Sequence, residues 1–526
     1  MNQDETVGMM PMTLQEIAQA VQGRLTSGGT AADSPQYASS VYSDSRQLHD
    51  GSLFVAIAGE RVDGHRFVGS IAHYGAVAAI VEHEVAEASI PQIIVDDSVK
   101  ALGLLARHNL DKRRANGTDF TVVGITGSVG KTTTKDLLST MLGQLANTVA
   151  PVGSFNNEIG LPLTALKVNA STRFLVAEMG ASHIGEIAYL TTIAPPDIAI
   201  ALKVGVAHLG EFGSVDNIAK AKSEIVQGLL PHGIAVLNAN DERVSAMKRF
   251  APGEVLWFGL NAADPSGLFC DGATLDMTAS NIHVDALDHP SFILHDKNSQ
   301  SDVTLAISGE HNVMNALAAA TVAHHLGLSL QDIASSLASQ HHISPHRMAV
   351  SKVTKDDVSF TLIDDSFNAN PDSMRAGLRG LSAWGAKDSS TPYRVAVLGA
   401  MLELGQDEID LHRSIGHDCA ELGLDAVIAV GGNEDLAPLA ESLADGARSG
   451  AREQGAMNSD HTMHVVLAQD ADKADELITA LAHEHRDMVV LLKGSHVSGL
   501  SALAERWEQD RNDAATASQQ DSEVLR

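Results

Sequence analysis

The 526-residue chain has little cysteine, few aromatics, few basic residues and no long apolar run. Its two cysteines, Cys270 and Cys419, are far apart and form no CxxC pattern. That excludes a disulfide framework or a thiolate zinc site, and predicts a reducing, cytoplasmic setting. Aromatics make up 4%, so aliphatic side chains must build the core. Against 66 Asp and Glu stand 36 Lys and Arg, a net charge of −30. Such a surface repels nucleic acid and anionic lipid and favours a soluble monomer. No apolar run approaches the ~18 residues that cross a membrane, so no insertion is expected. Asp4 and Glu5 stand where a signal peptide would carry basic residues.

What is present is a globular composition, 44% hydrophobic and 19% charged. The length suggests about three domains. DKRRANGTD reads as a charged linker, and HHISPHRM as a second junction. The expected segments are therefore 1–115, 116–343 and 344–526. In the first, Thr13-x-x-Glu16 reads as a capping box opening the helix LQEIAQAVQGRL. Strands follow at 52–58, 76–81 and 92–95, then a helix over 98–108. The second alternates strands at 121–125, 173–177, 197–203 and 234–238 with helices at 132–142, 217–230 and 312–326. This is the rhythm of a parallel α/β sheet. The third repeats it, with strands at 359–363, 394–398, 426–430, 464–467 and 488–492. From about residue 508 the chain reads as a polar, acidic tail.

One motif carries chemistry on its own. A β-branched strand runs into GITGSVGKTT and then a helix. Gly127, Ser128, Val129, Gly130, Lys131, Thr132 and Thr133 form a loop whose backbone N–H groups can converge on phosphate oxygens. Lys131 adds charge for the β- and γ-phosphates, and Thr132 offers a hydroxyl to Mg²⁺. The helix N-terminus adds partial positive charge. The strict GxxxxGK[ST] pattern is not met, because its first glycine falls on Ile125. ATP is the expected nucleotide.

Other residues admit two readings each. Glu178, at the end of a predicted strand, suits a Mg²⁺ ligand or a surface carboxylate. His208 after another strand is a site residue or a structural one. Lys222 is, by spacing, a solvated helix lysine. Asn312 and Asn315 share a helix face and suit either an adenine edge or a helix cap. The run from Asp364 to Pro371, DDSFNANP, and Lys493-Gly494-Ser495 are polar groups at strand ends, where caps and turns are common.

Together these segments resemble the Mur ligase family of cell-wall peptide synthetases. The resemblance rests on GITGSVGKTTTK, FNNEIGLPLT, EMGASHIGEI, GVAHLGEFGS, AKAKSEI, GEHNVMNALAA, DDSFNANPDSM, LGAMLELG and LLKGS. With SDSRQLHDGSLFVAIAGERVDGHRFV they span about residues 40–495. It implies an α/β fold of three domains: a UDP-substrate domain, a central P-loop parallel-sheet ATPase domain, and a C-terminal Rossmann-like domain. It implies ligation of D-Ala-D-Ala to UDP-MurNAc-tripeptide, with ATP and Mg²⁺, through an acyl phosphate.

The resemblance also implies site roles. Lys131, Lys222 and His208 would be catalytic. Thr132, Glu178, His208 and Lys222 would hold magnesium, with Lys222 matching a lysine that family members carbamylate. Asn315 would lie by the adenine, Asp365 by the ribose and Arg347 near the phosphates. Asn156 and Asn157 would flank phosphoryl transfer, and Ser45 and Arg46 the UDP end. Asn368, Asn370 and Lys493 would face substrate. His496 stands after LLKGS where an arginine is expected. The stretch 262–300 is polar and irregular, matches nothing, and reads as a surface insertion. A ligase adding a diamino acid would carry a DNPR-type signature, which is absent. On the loop alone, an ATP-hydrolysing switch stays open.

Overall fold

A computed structural model describes residues 8–26, 36–59, 62–117, 119–260, 274–285, 288–341, 344–355, 358–384, 391–457 and 463–510. Cys270 and the expected tail beyond residue 510 lie outside them. Among the described residues, three large sheets follow one another along the chain, beside a small antiparallel pair of Met12–Thr13 with Tyr37–Ala38.

The first has five strands: Ser40–Tyr42, Ser52–Val55, Ala76–Val81, Gln92–Ile94 and Arg24–Leu25, parallel except the last. Thr13 caps the first helix by accepting from the Glu16 N–H, but the expected box is only half formed, because the Glu16 carboxylate turns to Lys112 and His108. That helix stops at Ala20, because Gln22 takes a left-handed turn and Arg24–Leu25 becomes strand.

The expected linker DKRRANGTD is half helix. The helix Ser98–Ala115 runs through its basic residues. Their charges are spent on packing instead of on solvent. Arg113 is buried and donates to the Thr172 and Asp119 carbonyls, and Arg114 pairs with Asp197 at 2.9 Å. Basic groups in a last helical turn also complement its dipole.

The central sheet has nine strands. Its parallel run is Thr148–Val149, Phe174–Glu178, Thr121–Thr126, Ile198–Ala201, Ile234–Asn238, Val255–Leu260 and Met277–Val284. Pro290–His295 and Gln300–Thr304 then add antiparallel strands. The described part of 262–300 is thus sheet, not an irregular insertion. In Pro290–His295 buried residues alternate with half-buried ones, Phe292 and Leu294 pointing inward. A one-sided strand carries polar residues at every second position, so it reads as polar in composition.

The last sheet orders its strands Ala349–Lys355, Val358–Asp365, Met488–Lys493, Tyr393–Leu398, Ala426–Val430 and His464–Ala468. Only the first pair is antiparallel. Aliphatic residues fill the cores, with Val123, Ile125, Val176 and Ile200 fully enclosed in the central sheet.

Asn109 ties the first helix layer to the central unit. It is fully buried, donates to the Ala165 and Val168 carbonyls and accepts from the Met10 N–H at 2.9 Å. Asn109→Ala leaves these groups without partners, each worth about 1–3 kcal/mol when buried. We expect a loss of about 3 kcal/mol in urea unfolding. An unchanged midpoint and slope would refute the role.

Candidate active site

A cleft of about 1100 Å³ lies between the central and C-terminal sheets. One wall is the phosphate loop, between the Thr121–Thr126 strand and the helix Lys131–Leu145. The neighbouring strand braces it. The Ser128 N–H donates to the Lys203 carbonyl, and the Ser128 hydroxyl accepts from the Gly205 N–H. Gly130 takes φ +84 and lies so close to Asn315 that any Cβ would collide with that amide. Glycine is thus required here for both conformation and space. Asn315 lies against the loop, held by donation to Asn312 Oδ1. Asn312 is not the cap, since His311 takes that position and Asn312 donates back to the Ser308 carbonyl.

Glu178 ends its strand fully buried. One carboxylate oxygen accepts from Thr132 Oγ1 at 2.9 Å, and the other from Ser154 Oγ at 2.7 Å and Asn156 Nδ2 at 2.9 Å. Lys131 donates from Nζ to the Gly127 carbonyl at 2.8 Å. Burial pushes its ammonium pKa down, Glu178 opposes that shift, and Arg347 adds to it. Hard oxygen donors at Thr132 and Glu178 fit magnesium. Among the described residues no three His, Cys, Asp or Glu converge on a metal by themselves.

Lys222 is buried on the helix Val215–Gln227, its Nζ 5.9 Å from the Phe212 ring centre. Its spacing suggested a solvated lysine, but the helix turns it inward. Burial, with Lys131 nearby, brings its pKa down to about 7. His208 lines the cleft and hydrogen-bonds through Nδ1 to Glu403 of the C-terminal unit.

The opposite wall comes from the C-terminal sheet. Asp365 and Lys493, both buried, form an ion pair across adjacent strand ends. Arg347 lies over the Phe367 ring at 4.3 Å and reaches Thr132 Oγ1 at 3.4 Å. Asn370 caps the helix Pro371–Ala383 in a capping box with Ser373, and Asn157 likewise accepts from the Gly160 N–H. Both line the cleft while serving local structure. The Asn368 carbonyl accepts from Lys493 at 3.3 Å.

Ser45 and Arg46 are not part of this cleft wall. They lie on a turn beyond the Ser40–Tyr42 strand, Arg46 exposed and paired with Asp44 at 2.7 Å. Ser154 and Glu403 escaped the sequence reading. Glu403 sits inside the quoted LGAMLELG and Ser154 immediately before FNNEIGLPLT, but their partners are distant in sequence.

Family profiles match in three places. The Mur ligase middle domain matches residues 125–323, the Mur ligase glutamate ligase domain 346–496, and the Mur ligase catalytic domain 38–109. A UDP-N-acetylmuramoyl-tripeptide–D-alanyl-D-alanine ligase of Mycobacterium tuberculosis H37Rv is 37% identical, over 95% of this chain and 98% of its own.

The chain belongs to the Mur ligase family.

The Escherichia coli K12 protein of the same name is 35% identical over 80% of this Mur ligase and 86% of its own length. Among solved structures, MurF from Acinetobacter baumannii superposes with a TM-score of 0.76 at 33% identity, covering 95% and 99% of the two chains. MurF from Thermotoga maritima, solved with ADP, gives 0.70 at 27% identity, covering 90% and 98%. The three-domain α/β expectation thus holds for this Mur ligase.

At the start of the C-terminal unit His346 takes φ +60. Its hydrogen bond to Asp364, with Glu505 nearby, holds its imidazole above the usual value. A raised pKa contributes stability fully present below the unfolded value of 6.5 and lost as pH rises through the folded one. Above pH 6.5, unfolding midpoints should fall with pH and then level off, and His346→Gln should flatten that fall. A fall of equal size in the variant would refute it.

Proposed function

We propose that this Mur ligase joins D-alanyl-D-alanine to UDP-N-acetylmuramoyl tripeptide, converting ATP to ADP and phosphate. The observation that carries the reading is the cleft: a phosphate loop with Lys131 and Glu178 on one wall, and Asp365, Lys493 and Arg347 on the other. Membership of the family and likeness to the named tripeptide ligases support the substrates.

The γ-phosphoryl group passes to the tripeptide's terminal carboxylate, forming an acyl phosphate. The dipeptide amine attacks its carbonyl carbon, and the tetrahedral intermediate collapses with loss of phosphate. Such transfer is mostly positioning and charge neutralisation. Lys131 and Arg347 supply positive charge beside the loop. Magnesium neutralises phosphate charge when bound, and Thr132 and Glu178 would hold it with His208 and a carbamylated Lys222. A lysine with a pKa near 7 has the free amine that reaction with carbon dioxide needs. Asn156, beside Glu178, flanks the transferred group with Asn157. Asn315 and Asp365 serve the nucleoside, and Asn368, Asn370 and Lys493 face the acceptor side. Ser45 and Arg46, at the carboxyl end of a parallel strand, hold the UDP end. We read three domains, 1–115, 116–343 and 344–526, in a cytoplasmic monomer. Sparse cysteine and the charge of −30 support that setting.

Phosphate release should require both UDP-muramoyl tripeptide and D-Ala-D-Ala, and Lys131→Ala should abolish it. Equal release with neither substrate would indicate an ATP-hydrolysing switch. Lys222→Ala should lose most turnover and regain part of it with added short carboxylic acids. Full activity without the acid would return Lys222 to a structural role.

A further inference from the structure

We infer that Glu403 is a positioning residue, which carries contact between the central and C-terminal units into the metal site by orienting His208. The inference rests on the reading of His208 as a metal ligand.

Glu403 lies in LGAMLELG, on the turn after the Tyr393–Leu398 strand. Its φ is +60, and that of His208 is +58. Both non-glycine residues thus adopt a left-handed conformation that costs energy and needs support around it. Support is visible on both sides. The Glu403 carbonyl accepts from the Gly210 N–H at 2.9 Å. Gly210 and Gly405 meet backbone to backbone, so that a Cβ on Gly210 would lie 2.5 Å from the Gly405 nitrogen. Below the turn, Met401 and Leu404 are buried, and the Met401 N–H donates to His412 Nε2 at 2.9 Å. The contact is therefore built from two fitted backbones as well as the hydrogen bond between His208 and Glu403.

The side chains then have a definite chemistry. A carboxylate at Nδ1 selects the tautomer with its proton there and leaves the Nε2 lone pair free. Metal-binding histidines are commonly oriented by a carboxylate in this way. Glu211, the carboxylate nearest His208 in sequence, pairs instead with His183 at 3.2 Å. The orienting carboxylate thus belongs to the other unit. When the two units part, His208 loses its partner, and the metal site is complete only when the acceptor-side unit is in place. An exposed ion pair without this role would be worth little.

The test uses the full chain with ADP, Mn²⁺ binding by electron paramagnetic resonance, and steady-state kinetics. Glu403→Ala should weaken Mn²⁺ binding about tenfold or more and lower kcat, with the KM for ATP within about threefold. Glu403→Gln keeps an oxygen to accept the Nδ1 proton and should retain most of the affinity. Gly210→Ala leaves both side chains intact but forces the backbones apart, and should match Glu403→Ala. Thermal unfolding checks that each variant is folded. Wild-type Mn²⁺ affinity in Glu403→Ala or Gly210→Ala, with affinity lost in His208→Ala, overturns the role of Glu403 alone. Wild-type affinity in His208→Ala overturns the metal reading on which it rests.

Discussion

The site depends on one buried negative charge. Glu178 sits at the end of a central strand with no access to water, so its charge must be met by donors. Three side chains do this: Thr132 from the phosphate-loop helix, and Ser154 and Asn156 from the segment after Thr148–Val149. Meeting that charge brings three separate pieces of chain to one point. The same carboxylate opposes the loss of charge that burial imposes on Lys131. Satisfying a single carboxylate thus gathers the loop helix and the segment after Thr148–Val149 around one point of the cleft.

Around that point the two walls are joined differently at their two sides. At one side the chain itself passes between units, with the Ser344 N–H donating to Asp136 at 2.8 Å. At the other, Gly210 and Gly405 touch backbone to backbone, and His208 meets Glu403.

Several features were legible in the residue order because they are local. The phosphate loop is one, since a strand, three glycines, a lysine and a helix start fall within a few residues. The alternation of strands and helices in the second and third segments is another, because buried parallel strands are apolar throughout. The motifs from GITGSVGKTT to LLKGS placed the chain in its family before any contact was known. What misled was composition. DKRRA looked like linker because most partners of its basic groups lie far along the chain, at Glu16, Thr172 and Asp197. The described strands within 262–300 looked irregular because half their residues face outward.

The sequence by itself determined the chemistry: phosphate binding, the family, and the residue types that serve an ATP-dependent ligation. Only the tertiary structure decided which of those residues meet. Helical periodicity left Lys222 on a surface, whereas packing buries it. Asn370 proved to cap a helix within the cleft and Asn157 to hold the turn before one, and Ser154 and Glu403 gained partners 24 and 195 residues away. The physical reason is range. Backbone preferences act over a few residues, whereas satisfying a buried charge draws on whatever donor the fold brings near.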